Sequence, residues 1–568
     1  MTEPIAFGSS TSRDEIGRVL GRTPSGVFLP TAIDGDETTM PAPRPGRQAE
    51  RAWFALVVFA AIIAPAFADE AMSAPAVKTA RLPYTVSKET TRITEPLRPD
   101  GSPDYVAALD AIGREGVTPE NNAAVLYWRA IGTRDIDVAA REAYFAKLGM
   151  EVPPDDGQYL RPSQRVSQLI GTRVLTVPWT ADDEPVVAEW IREHETLLDL
   201  VVEGTGRPNY YRPVIGAAGA EGEFPLVAQL LPDVQASRTS CRLLVARAML
   251  RLGEGRIAEA EEDLLACHRF ARHIASGPTL IEGLVGYAIE RITFEGDLAL
   301  AHHGGLTAEQ ATRYRTRLVE LPPLLSIADY FDRGERYMFL DFVTYAAEGN
   351  PGSVFIFGTG SGLRASIVNV HWPLMSKTVE WDVPLIYGNE HYDRFVEAAR
   401  RTDRAERRRR IAEINSELQA EGRRLDDPLW LASRVILSLD PRATNSELVA
   451  RRFMHGFGSS LGAVNSVADR ASMERELAQL AFALAAYRAE RGEYPAELDQ
   501  LAPRHIGAIP GDIFNERSPA YRRAGDRYLL YSVGPNGIDE EGRSYASKPA
   551  GDDIVIISPR IRTQQNPP

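Results

Sequence analysis

The chain has 568 residues, which is too long for one hydrophobic core, so two or three domains are expected. Its 44% hydrophobic and 25% charged residues are ordinary for globular proteins. The net charge of −14 argues against nucleic acid as a partner, because binding phosphates requires a basic face. Two cysteines are too few for a disulfide-rich scaffold or a zinc site built from four thiolates.

The N-terminal segment reads as an export signal. Residues 1–52 are polar and predicted to be disordered, and a translation start at Met40 would remove most of them. Residues 53–68 form an apolar stretch behind several arginines, ending in a small-residue cleavage box at Ala68 before Asp69. The stretch is shorter than the roughly 20 residues of a stable membrane span, which favours cleavage over anchoring. We therefore expect export to the periplasm or cell envelope of a bacterium, with membrane contact only through an uncleaved leader.

A predicted linker, residues 69–93, leads into a helical domain over residues 94–455. Its clearest unit, residues 237–278, has two amphipathic helices on either side of the turn Gly253-Glu254-Gly255. This unit resembles one tetratricopeptide-type hairpin. A single copy favours a plain helical hairpin, since stacking requires about three copies.

The two cysteines lie at matching positions in this hairpin. Cys241 precedes Glu254 by thirteen residues and Cys267 follows it by thirteen. Equal distances from the turn of an antiparallel hairpin place two residues roughly opposite each other. Export permits a disulfide between them, and two buried thiols are the alternative.

Three motifs in the helical region invite a functional interpretation. Residues 277–290 resemble a prepilin cleavage motif, but the apolar run is too short for a membrane span and favours a core helix. The G-x-S-x-G match at residues 458–462 lacks the preceding strand that a nucleophile elbow requires. The carboxylates Glu380 and Asp382 lie among aromatic residues, which leaves a hydrolase as the enzymatic alternative.

The sequence changes character at the C-terminus. Residues 456–469 are predicted to be a glycine-rich joint, residues 470–558 a separate α+β domain, and residues 559–568 a disordered tail. The domain begins with an amphipathic helix and continues with short strands in a meander. The buried face of that helix is predicted to comprise Met473, Leu477, Leu480, Ala481, Leu484 and Tyr487.

These last 90 or so residues carry a series of landmarks in order: Tyr487, Gly492, Tyr494, Pro495, Leu498, Leu501, Pro510, Asp512, Phe514, Tyr521, Ser532, Gly534, Asp552, Asp553 and Ile554. In this order they resemble the globular domain of the type II secretion major pseudopilin family. The resemblance implies a long helix on a small antiparallel sheet. The chain departs from that family in its cleavable-looking leader and in Ile513, where the family has proline. The remainder, including the segment "TTRITEPLRPDGSPDYVAALDAIG", resembles uncharacterised exported bacterial proteins and implies no activity.

In the pseudopilin family the acidic loop before the last strand binds calcium. The resemblance implies that Asp552 and Asp553 are ligands, with Ser532, Asn536 and Asp539 as further oxygen donors. Calcium takes six to eight oxygen ligands and tolerates irregular geometry, which suits such a loop.

The same loop has an alternative without a metal. Arg543 and Lys548 lie within it and would neutralise its acids through ion pairs, leaving a solvated turn. Glu540 and Glu541 are additional oxygen donors under either interpretation.

The fold class predicted from sequence is therefore mainly α, with a helical-hairpin domain and a C-terminal α+β domain. The predicted function is that of an exported, non-enzymatic interaction or structural module that binds protein partners in the cell envelope. Calcium is the one cofactor the sequence suggests. An accessory component of a type II secretion or pilus-like assembly and an exported hydrolase are the two alternatives.

Overall fold

We analysed a computed structural model of the chain, which describes residues 82–171, 173–214, 226, 233–349, 376–458 and 461–558. These residues belong to one compact unit, Ser73–Pro568. The predicted leader, its cleavage pair Ala68 and Asp69, and the predicted disordered tail lie outside the described residues. Within the described ranges, no helix combines the length and apolar character that crossing a bilayer requires.

The N-terminal third is built of short helices that begin at side-chain caps. Asp104, Asn122, Asp137 and Ser163 each accept a hydrogen bond from a backbone N–H in the first turn of the helix that follows. The helices are α1 (Tyr105–Arg114), α2 (Ala123–Ile131), α3 (Val138–Leu148), α4 (Gln164–Leu169), α5 (Pro185–Glu193) and α6 (Glu195–Thr205).

The predicted hairpin is present, and two further helices extend it. Gly255 supplies the left-handed conformation that the turn requires, with φ of 78°. The four helices are α7 (Asp233–Gly253), α8 (Ile257–Ala275), α9 (Leu280–Ala301) and α10 (Ala308–Glu320). The prepilin-like motif lies at the start of α9, where Thr279 and Glu282 form a capping box, so the core-helix interpretation is confirmed.

A second group of helices follows in the chain. Its members are α11 (Ile327–Tyr330), a π-helical turn (Phe331–Glu335), α12 (Arg336–Ala347), α13 (Asp382–Ala399), α14 (Arg404–Leu425), α15 (Pro428–Ile436) and α16 (Pro441–Gly458). Aromatic side chains of α12, α13 and α16 pack together, as the edge-to-face contact between Phe342 and Phe453 illustrates (ring centroids 5.0 Å apart).

The C-terminal part consists of one long helix, α17 (Leu461–Arg491), and a three-stranded antiparallel sheet. The strands are β1 (Ala520–Ala524), β2 (Arg527–Ser532) and β3 (Ile554–Ser558), in the order β1-β2-β3. Residue pairs Tyr521–Leu530 and Leu530–Ile556 define the register. The predicted combination of a long helix with a small antiparallel sheet is confirmed.

The C-terminal helix and sheet share a hydrophobic core with the helical body, across the predicted boundary at residue 470. One hydrophobic core contains side chains of α2 to α10 together with those of α17 and the sheet, whereas a second core unites α1 with α11 to α14 and α16. The predicted face of α17 is buried, but so is Phe482, whose ring packs 4.7 Å from that of Tyr314 on α10. Because α17 buries more than one face, it joins the sheet to the helical body.

Helical structure extends into the predicted joint, and the described part of the predicted linker packs on the helical body. Of residues 456–469, those the structure describes belong to the end of α16 and the start of α17, and residues 459 and 460 lie outside the description. Residues 82–93 of the predicted linker pack on the second core. Thr85 donates two hydrogen bonds to Asp382, and Asn389 donates to the carbonyl of Thr90 (2.7 Å).

Candidate metal centre

The acidic loop lies between two paired strands. β2 ends at Ser532 and β3 begins at Ile554, and these two residues face each other in the sheet. Asp552 and Asp553 directly precede β3, so the pairing brings them back to the point where the loop leaves β2. The antiparallel register thus holds both ends of a 21-residue loop together.

Three carboxylates meet in this loop. One oxygen of each of Glu540, Asp552 and Asp553 lies within 4.8 Å of the others. Asp553 is fully buried (0% exposed), and the other two residues are half-buried. Carboxylates at this separation repel one another, so the arrangement requires compensation by hydrogen bonds or by a cation.

Backbone amides provide part of that compensation. Asn536 N donates to Asp552 Oδ2 (3.0 Å), Gly542 N donates to Asp553 Oδ2 (2.7 Å), and Asp552 N donates to Glu540 Oε2 (2.7 Å). The other oxygens of the two aspartates, Asp552 Oδ1 and Asp553 Oδ1, are buried and have no hydrogen-bond partner among the described residues. A buried carboxylate oxygen without a partner is costly, because desolvation is not offset.

Two arginines, Arg470 and Arg543, lie near the cluster without pairing with its carboxylates in the described residues. In the described parts of the chain, no lysine or arginine forms an ion pair with Glu540, Asp552 or Asp553. Arg543 donates instead to the carbonyl oxygen of Glu540 (2.9 Å), and Arg470 donates to the carbonyl oxygen of Asp552 (3.4 Å). The ion-paired alternative considered for this loop therefore lacks its expected contacts.

The proton affinities of the three groups differ. Burial raises the pKa of Asp552 and of Asp553, and the nearby charge of Glu540 adds to the effect. The hydrogen bond from Asp552 N lowers the pKa of Glu540. The negative charge is therefore disfavoured at the two aspartates and favoured at Glu540.

Two glycines allow the backbone to approach the cluster closely. Gly534 has φ of 69°, and a Cβ atom there would collide with the carbonyl oxygen of Asp552 and lie 2.9 Å from its Oδ1. A Cβ atom on Gly551 would lie 2.8 Å from Glu540 Oε2. Any larger residue at either position would displace a group of the cluster.

The structure places the other predicted ligands in supporting contacts. Ser532 Oγ donates to Asp512 Oδ1 (2.9 Å), and Asn536 Nδ2 donates to Glu540 Oε1 (2.9 Å). Asp539 Oδ1 accepts hydrogen bonds from Tyr531 Oη and Glu541 N. The cluster thus unites Asp552 and Asp553 with Glu540, which the sequence suggested only as an additional donor.

Sequence reasoning also missed the organising role of Asp512. Its carboxylate is almost completely buried and accepts hydrogen bonds from Ser532 Oγ, Val533 N and Phe514 N. It thereby fixes the end of β2 and the start of the loop. In the sequence, the only indication of this role was that Asp512 is one of the residues that carry the pseudopilin resemblance.

The predicted cysteine pair lies in the buried core of the hairpin. Cys267 Sγ donates to the carbonyl oxygen of Cys241 (3.7 Å), so the two residues are opposite each other as the spacing predicts. Both are free and fully buried, which agrees with the thiol alternative rather than the disulfide.

The carboxylates of the hydrolase alternative have separate contacts. Asp382 accepts hydrogen bonds from Thr85 N and Thr85 Oγ1, whereas Glu380 pairs with Arg442 (3.4 Å). The first contact joins α13 to the segment that precedes α1, and the second joins α16 to the residue that lies two positions before α13.

No family model, curated protein or solved structure matches this chain.

Proposed function

We propose that the protein is an exported, non-enzymatic interaction module whose C-terminal part is a pseudopilin-like head stabilised by a calcium ion. One observation carries the calcium proposal. Two adjacent aspartates, Asp552 and Asp553, each have a buried carboxylate oxygen without a partner, and a third carboxylate lies beside them.

The residues present fit a calcium ion. Calcium prefers carboxylate oxygens, and Glu540, Asp552 and Asp553 supply three of them from two places in the loop. Backbone carbonyls and water complete such a site in proteins. The ion would offset the repulsion among the three carboxylates, so its role in this chain is to hold the loop against β3.

The envelope role follows from the head and the leader. A head of this kind suits association with protein partners, and an accessory role in a type II secretion or pilus-like assembly is the more specific form of the proposal. Mass analysis of the exported protein tests the leader, and the expected mature N-terminus is Asp69.

Calcium titration of the full-length protein, followed by thermal denaturation, tests the metal site. At a calcium concentration 100 times the dissociation constant, binding stabilises the folded state by about 2.7 kcal/mol. For a chain of this length that corresponds to a rise in Tm of about 2–3 °C. Magnesium should give a smaller rise, because it demands stricter octahedral geometry.

Asp553→Asn should abolish the calcium-dependent rise. Asp526→Asn is the matched control, since Asp526 is an exposed aspartate in the turn between β1 and β2. An unchanged Tm of the wild-type protein in millimolar calcium would refute the site. An equal response of the Asp553 variant would show that calcium binds elsewhere.

A further inference from the structure

The short helix α15 and the turn that follows it expose four large apolar side chains. The exposed fractions are 76% for Leu429, 64% for Ile436, 77% for Leu437 and 103% for Leu439. Leu439 is therefore as open to solvent as a residue in an isolated peptide. Single exposed apolar residues are ordinary, but a contiguous apolar patch marks an interaction site. We call these four residues the apolar ridge.

Helical geometry places the ridge on one side of α15. Leu429 and Ile436 are seven residues apart and therefore share one helix face. Leu437 N donates to the carbonyl oxygen of Ser433 (3.0 Å), so the helical turn continues through Leu437. Because the ridge is exposed, the contacts that α15 makes with α14 and α16 use its other side. These contacts hold the ridge outward.

The size and shape of the ridge disfavour a folded protein as its partner. A nine-residue helix is about 14 Å long and about 10 Å wide, so the ridge offers at most about 300 Å². In a stable protein interface each partner buries about 800 Å². A second copy of this chain would also need a concave surface to receive Leu439, whereas the acyl chains of a bilayer adapt to a protruding side chain.

The residues beside the ridge suit the headgroup layer of a membrane. The guanidinium group of Arg434 lies over the ring of Trp430, 6.0 Å from its centroid. Tryptophan and arginine both place an apolar body against lipid and a polar end in the headgroup region. Arg434 also contacts Glu447 (3.3 Å), so the ridge is bordered by both signs of charge.

The charge of this border distinguishes between kinds of lipid. Residues 423–442 contain four arginines and three aspartates, which is close to neutral. Asp427 and Asp440 accept hydrogen bonds from the backbone N–H groups of Leu429 and Arg442, at the starts of α15 and α16. A zwitterionic headgroup presents a phosphate to the arginines and an ammonium group to the aspartates. A strongly anionic surface would match only the arginines.

We propose that the apolar ridge inserts into the surface of a zwitterionic phospholipid bilayer, with α15 lying in the plane of the headgroups. Binding of this kind scales with the apolar area that leaves water, and it does not require a helix that spans the bilayer. The inference goes beyond the proposed association with protein partners, and it depends neither on calcium nor on the leader.

A fluorescent label within the ridge tests the proposal on the full-length protein. Ser433→Cys places a thiol on the exposed face of α15, four residues from both Leu429 and Leu437. Because Cys241 and Cys267 are both buried, an environment-sensitive dye such as NBD labels the folded protein selectively at position 433. With phosphatidylcholine vesicles we expect a blue shift of the emission, a saturable increase in its intensity, and quenching by a quencher carried on the lipid chains.

Matched variants make the result specific to the ridge. In the labelled protein, Leu437→Ser and Leu439→Ser should each raise the lipid concentration at half-saturation by at least about tenfold, because each removes an apolar side chain from the contact. Val138→Ser should leave it unchanged, since Val138 is exposed at the start of α3, far from residue 433 in sequence. A label at Val138→Cys should not respond to vesicles, which separates insertion of the ridge from attachment through an uncleaved leader.

Four outcomes would overturn the proposal. The first is the absence of a response to phosphatidylcholine, and the second is a response to vesicles containing anionic phosphatidylglycerol alone. The third is a blue-shifted label in lipid-free protein, which would show that the chain itself or a second copy covers the ridge; sedimentation at several concentrations tells these apart. The fourth is an equal lipid response by the folded Leu437 and Leu439 variants.

Discussion

The buried imidazole of His268 should make the stability of the protein fall as the pH rises from 6.5 to 10. His268 Nδ1 lies 3.0 Å from Glu290 Oε1, and His268 Nε2 lies 2.9 Å from Asp297 Oδ2. Both ring nitrogens face carboxylates, so both must donate a proton and the ring is an imidazolium. Burial opposes this charge, but the two carboxylates prevail and raise the pKa of His268 to about 10.

The sign and size of the effect follow from linkage. A folded-state pKa above the unfolded-state value of about 6.5 stabilises the protein fully below pH 6.5, and that contribution is lost as the pH rises to about 10. Within this window, each pH unit should remove up to about 1.4 kcal/mol of stability.

The assay compares the wild type with His268→Gln by urea denaturation at pH 6.5, 8 and 9.5. Glutamine cannot carry the charge, so the variant should be several kcal/mol less stable at pH 6.5, where Asp297 loses its cation and Glu290 retains only Arg272 (2.7 Å). The difference between the two proteins should shrink steadily toward pH 10, because the wild type loses its own charge. A difference that stays constant or grows with pH would refute the assignment of an imidazolium.

Three further predictions concern the loop, the shared core and the cysteines. Gly534→Ala should lower the free energy of unfolding, measured by denaturation, by about 1–3 kcal/mol and should weaken calcium binding. Gly525→Ala is the control and should cost less, since Gly525 has a similar positive φ but open space around it. Phe482→Ala should lower the free energy of unfolding by about 3–5 kcal/mol and lower the melting temperature of the whole unit. Separate melting of the C-terminal part would contradict the shared core. Cys241 and Cys267 should both be alkylated after denaturation without reductant, and a mass two daltons lower with no alkylation would instead show a disulfide.

Local sequence patterns accounted for most of the secondary structure. The apolar stripe from Met473 to Leu484 predicted a buried helical face, and the turn Gly253-Glu254-Gly255 predicted the hairpin. Both features depend only on residue spacing and backbone preference within a short segment. The strands before and after the acidic loop were also predicted. Because Ser532 pairs with Ile554, Asp552 and Asp553 lie beside the end of β2, where the acidic loop begins.

The sequence by itself determined the helical character, the small C-terminal sheet and the acidic composition of its loop. Only the tertiary structure decided that α17 shares a core with the helical body, because a helix with several apolar faces does not specify which neighbour covers each face. It also decided that Glu540, rather than Asp539, completes the carboxylate cluster, since loop residues are placed by distant backbone contacts. The pairing of Asp332 with both Arg92 and Arg400 arises in the same way, because these arginines lie about 240 and 70 residues away in the chain and no local sequence pattern indicates the contacts.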